Sequence, residues 1–226
     1  MEAAARICTP VATREQKVFG YRVAQRALEN LSASGSSAER RRTAALTLAR
    51  CAHLVADWEP DDEKVLAITQ SGVDAAIIAG AREKDPRAAY YLGLNLGIHI
   101  QHIGPEAIAR VGDVIQALKD ARADPAQDVG GPLRVLGILY LKAPAWPVGP
   151  GDLDNALALL KEASEKYPSH PQNHIFYAEA LLENGDRKKA EEEIDTALTL
   201  ARPSLWGDYA ARWQSEIRAL QARLRK

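Results

Sequence analysis

Apolar residues recur three and four positions apart along almost the whole chain. That spacing is the 3.6-residue period of a helix with one buried face. In Arg14 to Leu31 the stripe is Val18, Tyr21, Ala24 or Gln25, and Leu28. No stretch alternates with period two for long enough to predict a sheet. The punctuation agrees. Ser36 and Glu39 have the spacing of a capping box. Trp58-Glu59-Pro60 is a break, and Asp61, Asp62 and Glu63 suit a helix N-terminus. Asp85-Pro86, Gly104-Pro105-Glu106 and Ser169-His170-Pro171 each place a proline early in a helix, where its missing N–H costs nothing. Gly185-Asp186 ends one helix and caps the next, and Pro203-Ser204 precedes the last. The pattern predicts ten helices, near residues 14–32, 37–57, 61–83, 86–103, 106–122, 131–141, 152–166, 171–184, 187–201 and 204–225. Short connections make neighbours antiparallel.

A second, slower rhythm overlies the first. Leu92-Gly93-x-x-Leu96, Leu136-Gly137-x-x-Tyr140 and Tyr177-Ala178-x-x-Leu181 repeat a large–small–x–x–large pattern on first helices of pairs. Second helices carry Val114, Leu118, Ala121, then Ala156, Leu160, Ala163, then Ala190, Ile194, Ala197. Small residues on facing helices let backbones approach, and large neighbours fill the groove. The pattern resembles the tetratricopeptide repeat. It predicts an all-α fold of tetratricopeptide-like hairpins stacked into a curved superhelix. Residues 1–85 read as an N-terminal helical segment packed on the repeats, 86–203 as three repeats, and 204–226 as a capping helix. The C-terminal stripe Trp206, Tyr209, Trp213, Ile217, Leu220, Leu224 suits that cap or a docking surface for another chain. Gly93 to Gly137 is 44 residues and Gly137 to Ala178 is 41, longer than the ~34 of a standard repeat. The second excess falls in Leu141 to Asp152, where three prolines and two glycines stiffen a turn around Trp146.

Charge and composition narrow the function. There are 29 Lys+Arg against 30 Asp+Glu, which excludes a strongly basic nucleic-acid binder. Residues 1–57 carry net +4, 58–200 net −9 and 201–226 net +4. Such a division suits head-to-tail contact between chains, or simply solvated helix faces. Apolar runs such as Val135 to Leu141 are far shorter than the ~20 residues of a membrane span. The start, MEAAARICTP, has no signal-peptide core. The chain therefore reads as cytoplasmic, or as a mature or trimmed form.

Catalytic chemistry is hard to place. There is no phosphate-binding glycine loop, no GxSxG and no HExxH. Gly149-Pro150-Gly151-Asp152 lacks a preceding strand and reads as a rigid turn with Asp152 as N-cap. Two cysteines, Cys8 and Cys51, make neither a disulfide framework nor a zinc site unaided, and Cys51 reads as a core residue. His99 and His102 share a helix face without a third metal ligand nearby in sequence. His170 sits near a helix cap, and His174 lies one turn in. No enzyme, cofactor or metal site is expected. What remains is a binding surface. Helix-A residues beside the seam face the inner side of such a stack: Asn95, His99, His102, Arg134, Asn173 and Tyr177, with Trp146 above them. A groove of this kind takes a peptide, a partner helix or a small anion near Arg134.

The run from Gly130-Gly131-Pro132 through Arg134, Leu136-Gly137, Tyr140, Pro144 and Trp146 to Gly149-Pro150-Gly151-Asp152, followed by Tyr177-Ala178-Glu179, resembles the T component of tripartite ATP-independent periplasmic (TRAP) transporters. Tyr90-Tyr91-x-x-x-Asn95 is similar to that family's aromatic-x-x-x-Asn helix. The resemblance spans roughly residues 86–200. It implies a periplasmic helical-repeat protein, often lipid-anchored, that forms homotrimers and associates with the transporter's substrate-binding subunit. Two rival readings are a generic tetratricopeptide adaptor in the cytoplasm or cell envelope, and a carrier enclosing an apolar small molecule near Trp146.

Overall fold

The fold is taken from a computed structural model, which describes residues 6–104 and 107–225. Among the described residues eleven α-helices lie between residues 14 and 224: α1 (Arg14–Ala33), α2 (Ala38–Ala56), α3 (Asp62–Ala79), α4 (Pro86–His102), α5 (Ala107–Ala121), α6 (Gly131–Lys142), α7 (Leu153–Lys166), α8 (Pro171–Glu183), α9 (Arg187–Leu200), α10 (Pro203–Trp206) and α11 (Asp208–Leu224). Among the described residues no strand forms; Ala145 and Gly151 make one isolated bridge. Side-chain caps fix the starts. Asp61, Asp85, Asp152 and Asp186 each accept a backbone N–H two or three residues on. Thr13 and Gln16 complete a reciprocal capping box ahead of α1.

The chain divides into two compact units, residues 1–123 and 124–226. In the first, α1 packs on α2, α2 on α3 and α4, and α4 on α5. In the second, α6 packs on α7 and α8, α8 on α9, and α11 covers both α8 and α9. A first helix touching its own partner and the next first helix is the tetratricopeptide arrangement, and each unit contains it.

The small-residue seam is real, but its partner is not small. Gly93, Gly137 and Ala178 are all buried. A Cβ at Gly93 would lie 2.8 Å from Leu118, and one at Gly137 would lie 2.7 Å from Leu160. The missing side chain therefore makes a socket that a leucine of the second helix fills, rather than matching another small residue. Leu118 and Leu160 hold the same place in their repeats, and buried Ile194 holds it in the third.

Three boundaries differ from the sequence reading. α2 is capped by Ser37, not Ser36, whose hydroxyl instead pairs with Ser34 at 2.8 Å. α3 stops at Ala79 because Gly80 turns left-handed (φ 114°), and Ala81–Glu83 form a 3₁₀ turn. The final helix is cut at Gly207 (φ 55°, ψ −132°), a conformation open to glycine. The predicted start at Pro105-Glu106 lies outside the described residues. No described helix is long and apolar enough to cross a membrane.

Candidate partner-binding site

The lengthened turn after α6 is a built loop. Gly151 N–H donates to Pro144 O at 2.8 Å, and Val148 and Gly149 N–H both donate to Ala145 O. Asp152 N–H reaches back to Tyr140 O at 3.0 Å, and the Asp152 carboxylate then caps α7 through Asn155 N–H. That bond and the Asn155 side chain hold the Asp152 carboxyl below its ordinary range. Gly149 is required by close approach: a Cβ there would lie 2.6 Å from Pro144 O. Prolines 144, 147 and 150 carry no N–H. From Ala143 to Gly151 there is no charged side chain. Lys142, at the loop's entrance, is paired with Glu179 at 2.6 Å. The result is an uncharged tip whose backbone donors are mostly used, presenting Trp146 at 86% exposure and Val148 at 66%.

Behind this loop in the sequence pattern, Arg134 and Asn173 turn inward. Arg134 is 3% exposed and Asn173 fully buried. The guanidinium donates to Asp128 and Val129 carbonyls (3.3 Å each), to the Asp128 carboxylate (2.7 Å) and to Asn173 Oδ1 (2.9 Å). Asn173 Nδ2 donates to Val129, Ala163 and Tyr167 carbonyls. These bonds hold Asp128, Val129 and Gly130 in three successive left-handed conformations (φ 50°, 53° and 85°). That conformation is costly for a β-branched valine. Gly130 tolerates no side chain, since a Cβ would lie 2.8 Å from the Tyr167 ring.

The structure thus places the sequence-derived site residues in different roles. Arg134 and Asn173 meet each other, but their capacity is spent on the fold rather than on a groove. Tyr177 is buried on the same helix as Asn173, with the Lys189 ammonium 5.2 Å over its ring. Hydrogen bonding to Tyr177 raises the Lys189 pKa. Asn95 lies in the other unit, fully buried, donating to Ala49 and Tyr91 carbonyls. There Gly72 makes room for it: a Cβ would overlap its amide. His99 Nδ1 meets Thr69 Oγ1 at 2.9 Å, and His102 Nδ1 meets Asp62 Oδ1 at 2.8 Å. Both rings tie α4 to α3. Partial burial, then the Arg110 and His102 charges, lower the His99 pKa. Among the described residues no group of three or more His, Cys, Asp or Glu side chains is placed to hold a metal ion. Of the seven candidates, Trp146 alone is wholly offered to solvent.

Sequence reading missed three features. Cys8 and Cys51, both buried, form a disulfide that ties the segment before α1 to α2 across 43 residues. Gly20 makes space for it, since a Cβ there would lie 2.7 Å from Cys8 Sγ. His170 is itself the N-cap of α8, and its ring sits between Trp206 and Trp213. His174, buried, bridges Glu193 (2.6 Å) and the Pro168 carbonyl (2.8 Å).

One family model agrees with this architecture. The family model for the tetratricopeptide repeat matches residues 148–224. No curated protein matches the sequence. Among solved structures the chain is similar to yeast Tom70, with 10% identity and a TM-score of 0.38, over 94% of this chain and 60% of that one. The chain thus spans less than two thirds of Tom70. The match at residues 148–224, taken with the socketed hairpins, identifies a helical-repeat fold of tetratricopeptide type.

Proposed function

We propose that this chain is a non-catalytic scaffold of the T-component type, which binds a protein partner through the loop bearing Trp146. The observation that carries the reading is that loop: a nearly fully exposed tryptophan on a closed, uncharged turn. Tryptophan, with tyrosine and arginine, is enriched among the residues that anchor interfaces. A turn whose backbone is already fixed loses little entropy on binding. Repeat proteins commonly put their insertions on the binding face. The partner in this reading is the substrate-binding subunit of a TRAP-type transporter, and the scaffold self-associates as a homotrimer. The compartment is the periplasm. The Cys8–Cys51 disulfide supports that location over the cytoplasm, where thiols are kept reduced. The exposure of Trp146 speaks against an apolar cavity enclosing a small molecule around it.

The test is capture from a cell-envelope extract on the immobilised chain, with native mass measurement of the free chain. The reading expects a transporter binding subunit among the captured proteins, retention lost with Trp146→Ala, and a trimeric mass. Capture unaffected by Trp146→Ala would refute the site. A monomeric mass would refute the trimer.

A further inference from the structure

The second unit contains a histidine whose position serves no binding surface. His170 is 4% exposed and precedes α8 as its N-cap. Its Nδ1 accepts the Gln172 N–H at 3.3 Å, a bond that needs the nitrogen lone pair. Its ring centroid lies 4.7 Å from that of Trp206 and 5.3 Å from that of Trp213. The two indoles are 5.1 Å apart, and Tyr209 lies 5.5 Å from Trp213. One imidazole thus joins the start of α8 to α10 and α11.

We propose that His170 is an acid-operated latch: protonating it releases α10 and α11 from the last hairpin.

Protonation removes the lone pair and with it the cap on α8. It also puts a cation into a buried site. The charged and titratable groups around it are Arg134 from α6 and His174 on α8, with Glu193 of α9 already bonded to His174. Tyr209 lies beyond Trp213 on α11, with Arg212 5.5 Å over its ring. Burial first, then Arg134 and His174, hold the His170 pKa well below the ordinary histidine value. The sign follows. The closed form binds the proton poorly, and an opened form binds it as free histidine does, near ~6.5. Falling pH therefore shifts population toward the open form, and rising pH restores the closed one. Opening uncovers Tyr209, Trp213, Ile217 and Leu220, which are buried in the closed state.

The experiment uses the full chain carrying Trp58→Phe and Trp146→Phe, so that only Trp206 and Trp213 fluoresce. Acrylamide quenching is followed from about pH 7.5 to about 5, bracketing the ordinary histidine range. The quenching constant is expected to rise about fivefold on acidification as the indoles become exposed. His170→Asn keeps a capping side chain but cannot titrate, and is expected to hold the low value throughout. His174→Asn is expected to keep the response. A flat profile in the parent, or an unchanged response in His170→Asn, overturns the proposal. Should His170→Asn fail to fold at pH 7.5, Trp206→Phe serves instead. It thins the packing around an intact histidine and is expected to move the midpoint to higher pH. An unmoved midpoint overturns the latch.

Discussion

The two units contain the same hairpin arrangement and stabilise it differently. In the first, the buried cluster around the disulfide is mostly alanine (Ala24, Ala44, Ala45, Ala49, Ala75, Ala76, Ala79, Ala81 and Ala88), joined by Leu28, Leu48 and Leu54. Alanines let helices approach closely but bury little area each, and stabilisation scales with the apolar area removed from water. A disulfide lies in the middle of that cluster. In the second unit, Leu160, Tyr177, Leu181 and a tryptophan-rich cap fill the core, and a buried arginine and asparagine fix an otherwise unfavourable turn. One repeat pattern is thus compatible with a covalent staple in one place and a polar network in another. The network unit is the one that carries the displayed tryptophan.

The difference can be broken where it is greatest. Arg134→Ala strands Asn173 Oδ1 and two carbonyls and takes one ion-pair partner from Asp128, and should cost up to about 5 kcal/mol. Denaturant unfolding followed by tryptophan fluorescence would measure it, and the first unit should be untouched. Reducing Cys8–Cys51, or replacing both by serine, should lower the stability of the first unit by about 4 kcal/mol for a loop of 43 residues. Melting with and without reductant would show that loss confined to one unit. Gly137→Leu drives a side chain into Leu160 and should cost about 3 kcal/mol, read as a lower melting temperature. Acid sharpens the contrast without mutation. His170 and His99 both have lowered pKa values, so each unit loses stability as pH falls through the unfolded histidine value of ~6.5. The second unit should lose more, because His170 is buried and His99 only half-buried. Calorimetry across that range would rank them.

Much of the fold was legible because hairpin repeats write themselves into sequence as helical periodicity, caps and spaced small residues. Asp85, Asp152 and Asp186 sit where short-range chemistry puts a cap. What failed to show was long-range. Nothing in the spacing of Cys8 and Cys51 indicates that α1 brings them together. Asn95, Arg134 and Asn173 look like groove residues because they are polar beside a seam. Only the positions of the Ala49, Val129 and Tyr167 carbonyls reveal that they face inward. The left-handed turn at Asp128-Val129 runs against residue preference and is imposed by Arg134. The exposure of Trp146 on a stiff turn was legible because an uncharged, proline-rich insertion is a local feature.

The smallest effect on stability carries the most weight. Trp146→Ala alters a highly exposed side chain, so the variant's stability should stay within about 0.5 kcal/mol of the parent's. Partner affinity should fall about 30-fold, the ~2 kcal/mol of an anchor residue. Titrating the captured partner against parent and variant, with both melts run beside it, is the decisive measurement. Weaker binding at unchanged stability is what a displayed anchor requires. Equal affinity, or a loss of stability that matches the loss of binding, would contradict it.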